Sequence, residues 1–279
     1  MTALDRRQDP RNQVLDRIVL GVSSTAELIV DRDHPFFFDH PLDHVPGLLL
    51  LEGAVQLAQE HAEQPSFVSA VNARFEKFAL FDREITLTAR PRAGSGRKRI
   101  DVALTQGDIT RAHVSVDLFP FENDVPFPGH RDLSQAIPAC RGEFLNKVNA
   151  DNVLIGEPKI DAGEITAEIL PSSGACLLAD SLCMVHPLFL LECFMQVQRY
   201  LNAKDPAPGR IRDILTGVHI AQERPVRDIS APMQVIGRSQ FAPTPGGRAT
   251  RTAALTVAGI PFAECCLITA RTGMLRKSA

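Results

Sequence analysis

Two stretches of the chain are apolar almost without a break, and each is followed by several short segments that alternate or carry β-branched residues. The first is Val45-Pro-Gly-Leu-Leu-Leu-Leu-Glu52-Gly-Ala-Val-Gln56, and the second is Val185-His-Pro-Leu-Phe-Leu-Leu-Glu192-Cys-Phe-Met-Gln196. Each predicts a helix, over about 47–63 and about 187–202. A helix that is apolar nearly all round is a buried one. Strands are predicted at 26–30, 68–78, 84–91, 99–106 and 109–119, and again near 213–221, 229–239, 248–257 and 261–271. Turns fall at 92–98, Gly107-Asp108, Thr244–Gly247 and Ala258-Gly259.

The order of features is the same in both halves. Glu52 and Glu192 stand 140 positions apart, about half of 279 residues. Upstream, Thr25-Ala-Glu-Leu-Ile matches Thr166-Ala-Glu-Ile-Leu; downstream, Lys77-Phe-Ala matches His219-Ile-Ala, and Ile109-Thr-Arg-Ala matches Ile260-Pro-Phe-Ala. A period this long means a duplicated domain rather than a solenoid. The implied units are 1–120 and 143–279, joined by a Pro- and Gly-rich linker at 121–142. A long buried helix followed by an antiparallel meander is the hotdog pattern. The predicted class is therefore α+β, a tandem double hotdog in which two antiparallel curved sheets each wrap one central apolar helix. Pairing the units edge to edge removes an exposed sheet edge. The chain then forms its own pseudo-dimer, with further homodimer formation left open.

Composition narrows the function classes. Apolar residues make up 44%, enough for a full core. The net charge of −3 gives no sign of a nucleic-acid partner or an anionic membrane surface. No apolar run reaches the ~18 residues of a membrane helix, and the polar start MTALDRRQDPRNQ does not read as a signal peptide. The six cysteines lack C-x-x-C spacing, so reduced thiols in a cytoplasmic protein are expected.

Candidate chemistry concentrates in Asp33-His-Pro-Phe-Phe-Phe-Asp-His-Pro-Leu-Asp-His-Val-Pro-Gly47, which leads into the first helix. It holds His34, Asp39, His40, Asp43 and His44. Glu52 and Gln56 follow, four apart and so on one helical face; Glu192 and Gln196 repeat them. Burying a carboxylate on an apolar helix is costly unless it is hydrogen-bonded or protonated, which points to a role. The loop before the second helix, 178–187, keeps one histidine and one aspartate, so one working site or two unequal ones are expected. Where two hotdog units face each other, the loop of one meets the helix of the other, which would set the His44 loop against Glu192; a site around Glu52 is the alternative. Histidine with a carboxylate suits general acid–base work, and the helix start at Gly47 offers N–H groups to an oxyanion. The structural alternatives are that Glu52 and Glu192 tie the helices to backbone N–H groups and that His34 and His40 brace the loop. The His/Asp spacing matches no standard zinc pattern. No G-x-S-x-G, G-x-G-x-x-G or P-loop occurs, so no metal or cofactor is expected.

His34-Pro-Phe-Phe-Phe, Asp43-His-Val-Pro-Gly-Leu-Leu-Leu-Leu-Glu52 with Gln56, and Arg74-Phe-Glu-Lys-Phe-Ala-Leu-Phe-Asp82 resemble the A-factor biosynthesis hotdog family (AfsA type). Asn146-Lys147 and His186-Pro-Leu-Phe-Leu-Leu-Glu192 resemble its weaker repeat, so the two repeats stand in swapped order here. The resemblance implies γ-butyrolactone or butenolide biosynthesis in secondary metabolism. A β-ketoacyl group would pass from acyl carrier protein to a small-molecule hydroxyl acceptor such as dihydroxyacetone phosphate. On that reading His44 or Glu192 is the base, Asp43 orients it, Glu52 is another candidate, and Gly47 heads the oxyanion site. His40 adds to the catalytic set; His34, Asp39, Gln56, Gln196 and Arg74 fall to substrate binding. The family carries an arginine before the helix glutamine; Val55 and Met195 stand there, with Arg74, Lys77, Arg199 and Arg210 as other cations. Two further readings follow from the fold: a dehydratase, isomerase or thioesterase acting on carrier-bound acyl chains, or a non-catalytic acyl-binding or scaffold protein. In the distant dehydratases the loop histidine would align with Phe38, near His40.

Overall fold

A computed structural model describes residues 3–92, 97–121, 137–171, 176–181, 183–204, 211–228, 230–238 and 248–273. The turn at Thr244–Gly247, Arg210 and most of the segment read as a linker lie outside these residues.

In the first half the strands are β1 (Leu15–Val19), β2 (Ser24–Leu28), β3 (Ser66–Phe75), β4 (Thr86–Arg92), β5 (Lys98–Gln106) and β6 (Ile109–Pro120). In the second they are β7 (Lys159–Asp161), β8 (Glu164–Glu168), β9 (Ile211–Gln222), β10 (Met233–Arg238), β11 (Arg248–Val257) and β12 (Ile260–Gly273). The helices are α1 (Gly47–Gln59), the short α2 (Gly142–Leu145) and α3 (Pro187–Lys204). Among the described residues the strands form one 12-stranded sheet, in the order β1-β2-β4-β5-β6-β3-β9-β12-β11-β10-β8-β7. The order reads the same from either edge once each strand is exchanged for its counterpart in the other half. The halves therefore meet at β3 and β9, antiparallel from Ala70↔Ala221 to Arg74↔Gly217. Gly217 suits that seam: a Cβ there would lie 3.1 Å from the Ala73 carbonyl oxygen and 3.3 Å from Ile268 Cδ1.

α1 packs on the strands of its own half, β1 to β6, and α3 packs on β9 and β10 of its own half and on β3 of the other. Every residue of α1 from Leu48 to Gln59 is buried, as the uninterrupted apolar pattern requires. The result is the expected double hotdog. No described helix is long and apolar enough to cross a membrane. Among the described cysteines, Cys140, Cys176, Cys193 and Cys265 are buried and unpaired.

Several boundaries differ from the sequence reading, each for a local reason. α1 stops at Gln59 rather than 63, because the His61 and Ala62 N–H groups bond three residues back and Pro65 follows. The residue before a proline avoids the helical region, so the turn cannot extend. β3 ends at Phe75 rather than 78, where the N–H groups of Glu76 and Lys77 both bond the Arg111 carbonyl of β6 and the one-to-one register is lost. β10 begins at Met233 rather than 229, because Asp228 accepts from both the N–H and the hydroxyl of Ser230 and bends the chain. The edge strands β1 and β7 lie outside the predicted set. Both are short and mostly exposed, and Arg17 within β1 has φ +51°, so neither alternates cleanly.

Candidate active site

The polar residues of the two helices are built into matched inter-half clasps. Glu52 is 1% exposed and receives two bonds from Arg7, Nε to Oε1 at 3.0 Å and Nη2 to Oε2 at 2.8 Å. Arg7 also donates to the carbonyls of Leu178 and Asp180 in the other half. The Gln56 amide donates to Glu52 and to the Asn12 carbonyl, and its Oε1 accepts the Val14 N–H. The second half repeats this at the same offset. Lys147 and Arg199 reach Glu192 Oε1 at 3.1 and 2.6 Å, and Gln196 bonds Glu192, the Asn152 carbonyl and the Leu154 N–H. Asp180 accepts the N–H groups of Gln8 and Asp9; Asp39 accepts those of Val148 and Asn149. Each arm thus latches the loop of the opposite half.

Burial pushes the Glu52 carboxyl up, but the Arg7 guanidinium and its hydrogen bonds outweigh that and hold it down at about 2. Glu192 is likewise held at about 2, by Arg199 and then Lys147, against the effect of burial. Both are ionised, ion-paired carboxylates at neutral pH. His186, fully buried beside Glu52, is lowered to about 3 by burial and then by Arg7. It is neutral, and its Nδ1 accepts the Leu188 N–H at the head of α3. His34 is buried, with Nδ1 accepting the N–H groups of Phe36 and Phe37 and Nε2 facing Asn12 Oδ1 at 3.3 Å. His40 Nε2 lies 3.1 Å from Asn146 Nδ2, so the first loop meets the Glu192 clasp through His40 and Asp39 rather than through His44.

His44 has different surroundings. It is half-buried, its Nδ1 is 2.6 Å from Asp43 Oδ1, and its ring packs on Phe78 with centroids 4.5 Å apart. It lines a cavity of about 440 Å³ with Val45, Gly47, Leu50, the segment Phe75–Ala79 and Ile214–Thr216 of β9. The cavity therefore lies at the seam, at the head of α1. Leu49 is the first helical residue whose N–H bonds back, to the Pro46 carbonyl, so Gly47 and Leu48 carry the leading N–H groups. Gly47 keeps the helix start close to the cavity wall: a Cβ there would lie 3.3 Å from Phe75 Cζ. Neither Glu52 nor Glu192 lines this space, and Arg74, strongly exposed, pairs with Glu76 at 2.5 Å. Among the described residues, no group of three or more His, Cys, Asp or Glu is placed to hold a metal ion.

The corresponding span of the second half, between the loop before α3 and β3, is bridged by the chain's own N-terminal arm. Leu4 donates to the Ser66 carbonyl and accepts the Cys183 N–H, and Asp5 accepts the Val68 N–H and the Gln59 amide. Burial pushes Asp5 up to about 6 from 3.8, against those hydrogen bonds and Arg7. A carboxyl with a raised folded pKa contributes stability that is full below its unfolded value and is lost as pH rises through the folded one. The loss here runs from about pH 4 to just above pH 6 and is on the order of 3 kcal/mol. An amide in place of this carboxyl could still accept from Val68 and could donate to Gln59 Oε1, which has no partner. Asp5→Asn should therefore flatten that slope in urea unfolding between pH 5 and 8; an unchanged slope would refute the assignment.

Sequence reasoning missed Arg7, although it stands at the repeat offset from Lys147, which is the signal that could have found it. It also missed Phe78, which carries no chemistry of its own.

A two-half sheet with one helix per half and a cavity at the seam defines a double hotdog protein. Solved structures agree in fold. An acyl-CoA thioesterase II, TesB2, from Mycobacterium marinum superposes with TM-score 0.54 at 10% identity, over 96% of this chain and 98% of that one. The dehydratase domain of PpsC from Mycobacterium tuberculosis gives 0.62 at 16%, over 94% and 99%. Within that class, residues 7–122 match the A-factor biosynthesis hotdog domain. It is similar to two proteins named 2-oxo-3-(phosphooxy)propyl 3-oxoalkanoate synthase. That of Streptomyces virginiae is 38% identical over 87 residues, 30% of each chain. That of Streptomyces coelicolor is 41% identical over 91 residues, 30% of this chain and 29% of that one. The matched stretch thus spans about a third or less of these relatives.

Proposed function

We propose that this protein is an acyl-thioester enzyme that transfers a β-ketoacyl group from acyl carrier protein to the hydroxyl of a small acceptor such as dihydroxyacetone phosphate. The product would be a butenolide or γ-butyrolactone precursor of secondary metabolism, made in the cytoplasm, where unpaired thiols persist. The observation that carries the reading is His44 on the wall of the seam cavity, paired with the exposed Asp43, within the half that matches the A-factor domain. The names of the Streptomyces relatives support the reaction class.

Asp43 beside Nδ1 fixes the proton there and leaves Nε2 to act as base. His44 Nε2 takes the acceptor's hydroxyl proton as its oxygen forms a bond to the thioester carbon. The oxyanion meets the leading N–H groups of Gly47 and Leu48. The C–S bond then breaks, and the departing thiolate recovers the proton from His44. The cavity volume lies in the range of small-molecule sites. Lys77 is the only lysine or arginine among the described residues that line it, and it is our candidate for the acceptor phosphate. Val55, at the family's arginine position, is fully buried in the core, and Met195, its counterpart in the second half, is partly buried against that core.

The test is mass spectrometry of the protein with a β-ketoacyl carrier protein, with and without dihydroxyacetone phosphate. Acceptor-dependent ester or butenolide phosphate is expected. Acceptor-independent loss of water or of the acyl chain would replace the proposal with a dehydratase or thioesterase. No turnover across several chain lengths would leave the non-catalytic reading.

A further inference from the structure

The duplication supplies an internal control for the seam cavity. The Val45 N–H donates to the Ala79 carbonyl at 2.8 Å, and the Val185 N–H donates to the Val226 carbonyl at 2.6 Å. The Glu76 N–H donates to Arg111, and the Glu223 N–H to Phe262. The turn after β3 and the turn after β9 are thus the same turn, held to the same point before each helix, and the counterpart of Lys77 is Arg224 rather than the His219 that the sequence pairing suggests. Phe78 of the first occupies the place of Pro225 in the second, while Asp43 and His44 correspond to Cys183 and Met184. The half with an imidazole at this position also has the aromatic ring, and the other half has neither there. Core packing does not explain Phe78, because the residue is 48% exposed. What it does touch is His44, with ring centroids 4.5 Å apart and planes inclined at 52°. Asp43 holds one edge of the imidazole from its own loop, and Phe78 holds its face from another element. Two such contacts leave a half-exposed side chain little rotamer freedom.

We infer that Phe78 is a positioning residue for His44, a wall that keeps Nε2 directed into the cavity. This rests on His44 being the base, yet it can be tested apart from it. Phe78→Leu keeps an apolar side chain at an exposed site, and Phe78→Tyr keeps the ring. In NMR spectra of the free protein, the His44 ring protons should lose the shift caused by the neighbouring aromatic ring in Phe78→Leu and keep it in Phe78→Tyr. In the transfer assay Phe78→Leu should lower kcat about tenfold or more, since misplacement of a reacting group is costly. KM should stay within about twofold, and Phe78→Tyr should restore kcat. Unmoved His44 signals in Phe78→Leu, or a rise in KM with kcat unchanged, would overturn the assignment. Moved signals in a protein that shows no transfer would uphold the contact and count against the proposed reaction alone.

Discussion

His44→Ala should abolish acyl transfer while the protein unfolds at an unchanged urea midpoint. General-base catalysis contributes about 10²–10⁴-fold, and loss of His44 removes both the base and the acid that protonates the leaving thiolate. The side chain is half-buried beside an open cavity and packs on one exposed ring, so little folding energy depends on it. Asp43→Asn keeps the imidazole but no longer fixes its proton on Nδ1, so a smaller loss is expected, on the order of ten- to a hundredfold. The contrast that matters is with the glutamates. Were Glu52 or Glu192 the base, its removal would lower kcat in a protein of normal stability. The geometry leads to the opposite expectation, since each is buried and engaged by cations. Steady-state kinetics and urea unfolding on the same preparations separate the two. A His44→Ala protein that keeps more than about a fifth of wild-type kcat/KM would remove His44 from the mechanism.

The fold was legible because its signal repeats. The Leu48–Leu51 run, its counterpart Leu188–Leu191, and the shared Glu and Gln one turn apart already defined two buried helices with one partner sheet each. What could not be read was where the two halves' side chains meet. Periodicity places Glu52 on a buried face, but it does not show that Arg7, 45 positions away, fills the other side of that face. A buried carboxylate looks the same in sequence whether it is a catalytic group or half of an ion pair. The candidate site was legible to the level of its loop, since six of the proposed residues lie within Asp33–Gly47. The roles inside the loop depend on direction: His34 turns inward to its own backbone, His40 to Asn146 and His44 to the cavity. Adjacent residues of an irregular loop point by local backbone geometry, for which no period exists. Phe78 was invisible for another reason, as its contact with His44 joins two separate turns.

Arg7→Met should be the most destabilising of the substitutions considered, at about 3–5 kcal/mol, because it leaves an uncompensated buried charge at Glu52. Arg7 ties together the N-terminal arm, α1 and the carbonyls of Leu178 and Asp180, so its loss also loosens the latch between halves. The matched clasp supplies the comparison. Lys147→Met still leaves Arg199 on Glu192, so it should cost clearly less. The pH dependence sharpens the test. Glu52 has a folded pKa held down at about 2 against 4.5, so its contribution is present above about pH 4.5 and fades as pH falls toward 2. In Arg7→Met only burial and weaker partners remain, the carboxyl rises, and the protein should gain rather than lose relative stability on mild acidification. Replacing both partners, with Arg7→Met and Glu52→Leu, should recover part of the loss, since two apolar side chains leave no buried charge. Urea unfolding of the wild type, of Arg7→Met, Glu52→Leu and Lys147→Met, and of the double variant, at pH 5 and pH 8, would show all of this. An Arg7→Met cost no greater than that of Lys147→Met, or a double variant that simply sums the single losses, would mean that Arg7 and Glu52 are not a coupled buried pair.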